Sequence, residues 1–183
     1  MLLKVYEERA SGIRQMYNSD LVICEDKFFE VRGNIYTIYN QKKIPQELSF
    51  VQDKISKSNQ GVIRGFHGDN KTWKLITCLQ GKVKLITYNI DTDEKNVYFL
   101  DGDSEEMVSV LVPPRVLNAH QCLSQNCTFF YKWSEFYTSP EDQWSVNYND
   151  EDINPQWEQE FHETVSDRDK NSQTLKELKS YVK

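Results

Sequence analysis

At 183 residues, with 38% hydrophobic and 13% aromatic side chains, the chain has the size and apolar content of one globular domain, and disorder is excluded as its main state. Its 28 acidic residues outnumber 22 basic ones, for a net charge of -6, which argues against a sequence-independent grip on nucleic acid. No apolar run reaches the ~18 to 20 residues that span a bilayer, and Met1 to Ile13 carries Lys4, Glu7, Glu8 and Arg9 where a secretory signal needs an apolar core, so a soluble, cytoplasmic protein with no membrane partner is expected.

In chain order, Met1 to Gln15 reads as either a short helix or a strand exchanged with a neighbour. From about residue 21 to 137 the text is short apolar or alternating runs broken by turn residues, the spacing of a β-sandwich or barrel. The predicted strands are Leu21 to Ile23, Phe28 to Arg32, Ile35 to Tyr39, Leu48 to Ser56, Gly61 to His67, Thr72 to Gln80, Lys82 to Ile90, Asn96 to Asp101, Met107 to Val112, Leu117 to Leu123 and Thr128 to Phe136. Gly81 marks a tight turn into the β-branched and aromatic run Lys82 to Tyr88, a hairpin signature. Pro113-Pro114 lacks backbone donors and belongs at a strand end. From 138 to 183 the composition turns polar, with Trp144 and Trp157 as apolar anchors for a segment that wraps over the barrel. Asn171 to Val182 spaces Leu175, Leu178 and Val182 as the apolar stripe of a short capping helix. Cys24, Cys78, Cys122 and Cys127 have no CxxC spacing and read as buried free thiols. One all-β domain over 1–183 with a C-terminal tail is the expected organisation.

Only three histidines occur. His162 lies in the polar tail, where a histidine is ordinarily structural, and His120 follows the Pro113-Pro114-Arg115 turn. His67 closes Gly61-Val62-Ile63-Arg64-Gly65-Phe66-His67, three residues after Arg64 and seven before Lys74. Two fixed cations beside a titratable base lower its pKa and keep it neutral near pH 7 unless a carboxylate offsets them. That is the setting of a general base.

The Gly61 to His67 motif, Lys74-Leu75, Gly81-Lys82-Val83, the Pro-rich turn with Ala119-His120, Tyr131-Lys132 with Tyr137, and Ser166-Asp167-Arg168-Asp169 together resemble the RmlC-type nucleotide 4-keto-sugar epimerases, in order and approximate spacing, from Phe28 to Lys170. The resemblance implies a cupin-type jelly-roll barrel, a homodimer with strands exchanged between subunits, and no metal or organic cofactor. It makes His67 the base that removes the proton beside the keto carbon, Asp169 its orienting carboxylate, and Tyr131 the acid that returns a proton from the opposite face. By the same resemblance Lys74 steadies the enolate oxygen, Arg64 binds the nucleotide phosphates, and His120 and Tyr137 hold the sugar. Arg32 matches the family's Arg-Gly near the nucleobase, and Phe50, Gln52 and Asp53 stand where the family has Phe-x-Gln-Asn. These assignments agree with the chemistry: a proton α to a carbonyl becomes acidic only if the developing enolate is stabilised, which a cation at the oxygen does.

Two departures bear on substrate. Gly68-Asp69 follows His67 where the family carries an aromatic and Gln, so a roomier sugar end is expected, and Thr37 replaces the Glu expected near the nucleobase. The run His67-Gly68-Asp69-Asn70-Lys71-Thr72-Trp73-Lys74 resembles a branch acting on GDP-4-keto-heptoses in capsule synthesis. The expected function is thus inversion of C3 and C5, or C3 alone, of a nucleotide-linked 4-keto hexose or heptose, with GDP-4-keto-heptose as the leading substrate and dTDP-4-dehydrorhamnose chemistry as the alternative. Three rivals stand beside it. A metal cupin would have only His67, Asp69 and His120 as ligands; a 3,4-ketoisomerase usually has a second paired His, missing here; a sugar-binding barrel would stack ligand on Tyr131, Tyr137, Trp73 or Trp133.

Overall fold

The computed structural model describes residues 19–182, so the Met1 to Gln15 segment lies outside it. Short apolar and alternating runs form two antiparallel sheets that close face to face. The strands are β1 (Leu21–Glu30), β2 (Gly33–Tyr36), β3 (Gln52–Asn59), β4 (Val62–Gly68), β5 (Lys74–Gln80), β6 (Lys82–Asn89), β7 (Lys95–Asp101), β8 (Glu106–Val112), β9 (Val116–Cys122), β10 (Asn126–Trp133), β11 (Trp144–Ser145) and β12 (Thr164–Val165). One sheet runs β2-β1-β8-β5-β10-β3 and the other β11-β4-β9-β6-β7, with β12 added parallel to β4. Strands β1 and β3 are half-exposed, whereas β5, β6 and β9 are largely buried on both faces. This is the jelly roll expected from the sequence.

The predicted runs Leu21 to Ile23 and Phe28 to Arg32 are one strand, ending at Glu30. Polar Glu25 sits on its inward side without breaking it, because Lys43 pairs with that carboxylate at 2.8 Å. Leu48 and Phe50, predicted as strand, precede β3 and pack instead in a cluster with Ile44, Trp73, Leu75 and Leu111. Trp73 is therefore core, 6% exposed, and not a stacking platform. The Gly81 turn joins β5 to β6 with φ +75, and a Cβ there would lie 2.3 Å from the Asn126 carbonyl oxygen, so only glycine fits. Pro113-Pro114 falls between β8 and β9 as expected. Three cysteines are buried free thiols, but Cys24 is exposed on β1.

After β10 the chain returns across β4. Trp157 is buried 6.0 Å from the Phe66 ring, and Trp144 packs on the same cluster. A four-residue helix α1 (Asp167–Lys170) and a longer α2 (Leu175–Tyr181) follow. The predicted helix begins later than Asn171 because Thr174 and Glu177 form a reciprocal capping box that fixes its start. Leu175 and Leu178 bury in the core with Ile63, Phe66 and Ile86, so α2 closes one end of the fold. Among the described residues no helix is long and apolar enough to cross a membrane.

Candidate active site

A cavity of about 510 Å³ lies between the sheets, lined by β3, β4, β5, β9 and β10 and by the returning tail. His67, Lys74, Tyr131, Asp169, Arg64 and Tyr137 all line it. The sequence brings them there by different devices.

His67 depends on a bulge. Along the β4–β9 ladder Arg64 pairs with His120 and His67 with Asn118, leaving Gly65 and Phe66 opposite Ala119 alone. Gly65 has φ +124, and a Cβ on it would meet the Ala119 Cβ at 2.5 Å, so the bulge requires glycine. The bulge turns the imidazole into the cavity and leaves the Gly65 N–H free to donate to Asp169 Oδ2 at 3.3 Å. The other carboxylate oxygen, Oδ1, sits 2.8 Å from His67 Nε2. Asp169 itself is held by α1, whose N-cap Ser166 accepts from the Asp169 N–H.

Burial works to raise the Asp169 pKa, but hydrogen bonds from His67, Gly65 and Ser166 outweigh it and hold the carboxyl below its usual range. Burial also holds His67 below the ordinary histidine value; Asp169 pulls the other way, and Arg168 and Lys74 add to the depression. The imidazole is thus neutral near pH 7. A carboxylate can only accept, so Nε2 carries the proton and Nδ1 is the basic nitrogen.

Lys74 projects from β5 in the first sheet and ties to the second, donating to the His67 carbonyl at 3.2 Å and to Asn118 Oδ1 at 2.9 Å. An ammonium has three donors, so one remains for a ligand. Burial draws Lys74 down to about 8, with Asp69 acting against this and Lys54 with it. Tyr131 stands on β10, on the wall opposite His67, and burial pushes its phenol up to about 12, so it is protonated near neutrality. Arg64 donates to Ser58 Oγ at 3.1 Å and keeps an exposed guanidinium at the cavity edge.

The remaining predicted residues divide. Gln52 accepts from the Tyr137 N–H at 2.9 Å and so fixes the loop that carries that ring. His120 is fully buried between the sheets, stacked on Phe129 at 3.9 Å and outside the cavity lining, and neither ring nitrogen has a hydrogen-bond partner among the described residues. Burial first, and then the Arg64 charge, drive it down to about 3, so it is a neutral ring. Asp53 faces out and pairs with Lys132 at 2.7 Å, Phe50 packs edge-on against Tyr39, and Arg32 pairs with Glu30 on the β1–β2 hairpin; none of the three lines the cavity. Gly68 makes no room for substrate: a Cβ there would meet Leu117 Cδ2 at 2.9 Å, so its bareness admits β9. Asp69 is likewise structural, accepting from the Lys71 and Thr72 N–H groups in a tight turn. With Asp69 and His120 outside the cavity, the ligand set of the metal reading does not converge with His67.

Lys54, Asn118, Gln143 and Arg168 are among the lining residues that carried no assigned role in the sequence. Lys54 was readable in principle, since it shares the period-2 face of Gln52 and Ser56. Asn118 stands two residues before His120 on β9. Gln143 comes from an irregular loop, where no periodicity operates.

The family of dTDP-4-dehydrorhamnose 3,5-epimerases matches residues 17–177 of the chain. The dTDP-4-dehydrorhamnose 3,5-epimerase of Salmonella typhimurium is 32% identical over 149 residues, 75% of this chain and 81% of that protein. The crystal structure of the enzyme of the same name from Elizabethkingia anophelis superposes with a TM-score of 0.73 at 28% identity, covering 87% of this chain and 92% of that one. A 3'-monoepimerase from Streptomyces bikiniensis, solved with dTDP-quinovose, shares the fold with a TM-score of 0.79 at 20% identity, covering 88% and 86%. By these matches the chain belongs to the dTDP-4-dehydrorhamnose 3,5-epimerase family of sugar-nucleotide epimerases.

Proposed function

We propose that the chain epimerises a dTDP-linked 4-keto sugar at C3 and C5 through enolate intermediates. The observation that carries this reading is the placement of a neutral base and a protonated acid on facing sheets, with the Lys74 ammonium bridging between them. His67 Nδ1 takes the proton from C3, and the C–H electron pair moves into the C4 carbonyl oxygen, where the free N–H of Lys74 stabilises the enolate. Tyr131 protonates the carbon from the opposite face, which inverts it. A single group could only return the proton to the face it came from. The same steps at C5 complete the double inversion, and proton exchange with solvent restores His67 and Tyr131.

The choice of nucleotide follows the relatives named above, whose names specify dTDP sugars. Gly68 at the end of β4 and Asp69 in the turn after it, which pointed to a GDP-4-keto-heptose, lie outside the cavity and supply no separate argument for it. A second copy of the chain is part of the reading. The β1–β2 hairpin leaves Phe28, Phe29, Val31 and Ile35 more than half exposed, a patch that suits an interface. Arg32 on that hairpin would then reach a neighbour's nucleotide.

Proton NMR in D₂O with dTDP-4-keto-6-deoxyglucose, and with GDP-4-keto-heptose for comparison, tests the reading. Deuterium entering C3 and C5 with inverted couplings is expected from the dTDP sugar. His67→Asn should reduce exchange by ~10²-fold or more, while Tyr131→Phe should keep exchange and impair inversion. Exchange at the wild-type rate in His67→Asn would overturn the role of His67 as the base.

A further inference from the structure

Lys54 is a cation in the cavity that this mechanism does not use. Lys54 comes from β3, where it pairs in register with Tyr131, and its side chain lines the cavity. Among the described residues its ammonium makes no hydrogen bond and no ion pair. It lies 3.7 Å from the centroid of the Tyr137 ring and 4.9 Å from that of Trp133. Lys74 approaches the same Trp133 ring at 5.4 Å. Two ammonium groups therefore share one indole on the floor of the site, and only Lys74 is held by oxygen acceptors.

The surroundings of Lys54 are built. Gln52 accepts from the Tyr137 N–H and fixes the loop, the loop carries the ring, and the ring lies against the ammonium. Ring faces orient a cation without consuming its N–H donors, so all three stay available to a ligand. With that face of Tyr137 taken, a sugar cannot stack there; the tyrosine positions Lys54 instead. The place along β3 identifies the ligand end. Arg64, the group assigned to the phosphates, is tied to Ser58, four residues from Lys54 or roughly 13 Å at ~3.3 Å per residue. Lys54 stands instead beside the acid and the enolate lysine, at the sugar end.

Resting on the epimerase reading above, we propose that Lys54 is a substrate-contacting specificity residue, donating to an oxygen on the sugar ring adjacent to the oxygen held by Lys74. It favours sugars that place an electron-rich oxygen there, and it adds positive potential where the enolate charge develops. The groups facing Lys74 are Asp69 from the turn after β4, which favours its charged form, Lys54 from β3, which disfavours it, and the neutral His67 and Asn118.

The test compares wild type with Lys54→Met, which keeps the stem without charge, and Lys54→Arg. Deuterium exchange from dTDP-4-keto-6-deoxyglucose gives kcat/KM, and dTDP alone gives nucleotide affinity. The expected result is a ~10-fold or larger fall in kcat/KM for Lys54→Met, with dTDP affinity within about twofold of wild type and partial recovery in Lys54→Arg. Removing the like charge should also move the alkaline limb of kcat/KM to higher pH, which a purely structural loss would not do. Unchanged kcat/KM with an unmoved limb overturns the proposal, as does a loss of dTDP binding large enough to account for the whole effect, which would place Lys54 on phosphate. Absence of exchange in wild type would instead remove the epimerase reading itself.

Discussion

His67 and Lys74 are both shifted by burial, and in opposite senses for catalysis. A histidine held below 6.5 is already a free base at neutral pH, whereas a lysine brought down to about 8 is close to losing the charge the enolate needs. Activity as kcat/KM therefore rises with pH through an acid limb below 6.5, as His67 deprotonates, and falls through an alkaline limb near 8, as Lys74 does. A rate profile over roughly pH 5 to 10 checks this bell. Tyr131, pushed up to about 12, should contribute no limb within that range. At this scale the sequence was legible where chemistry is local: Arg64, His67 and Lys74 cluster within eleven residues, and two cations beside a histidine already signalled a neutral base. The leading cause, burial, was not legible, because it is produced by strands distant in the chain. His120 misled for the same reason. Its residue type suggested a ligand contact, but a β9 side chain stacked on Phe129 is sealed between the sheets.

Among the elements, β4 carries the most. Its bulge at Gly65 and Phe66 both aims His67 and frees the N–H that braces Asp169. Gly65→Ala would force a Cβ within 2.6 Å of the Asn118 carbonyl oxygen at a φ of +124, so a loss of ~2 kcal/mol or more in unfolding free energy is expected. Denaturant midpoints measure it, with exchange activity falling further than stability explains because the imidazole moves with the strand. The pattern of apolar or alternating runs bounded by turn residues located most of the long strands closely. It missed β11 and β12, two-residue strands formed by a passing tail and carrying no period of their own. It also shifted β3 by several residues, because Leu48 and Phe50 are apolar for the sake of a satellite cluster rather than a sheet face.

For the whole molecule, the β1–β2 hairpin is a feature left uncovered among the described residues. Phe28 and Phe29 point to opposite sides of one strand, yet they are 64% and 52% exposed, so both faces of the hairpin await cover. Replacing both with Ser should leave the barrel folded and shift sedimentation from dimer toward monomer; an unchanged sedimentation coefficient would remove the dimer from the reading. The His67–Asp169 pair, meanwhile, joins residues 102 apart in the chain. The base is fixed by an element made long after the strand it serves, which sets an order of assembly. A growing chain can form most of its sheets while His67 still swings unbraced, and it gains a working base only when α1 seats against β4. Competence to bind and competence to react thus arrive at different times, and a cut in the tail ahead of Ser166 should silence proton exchange before it opens the barrel.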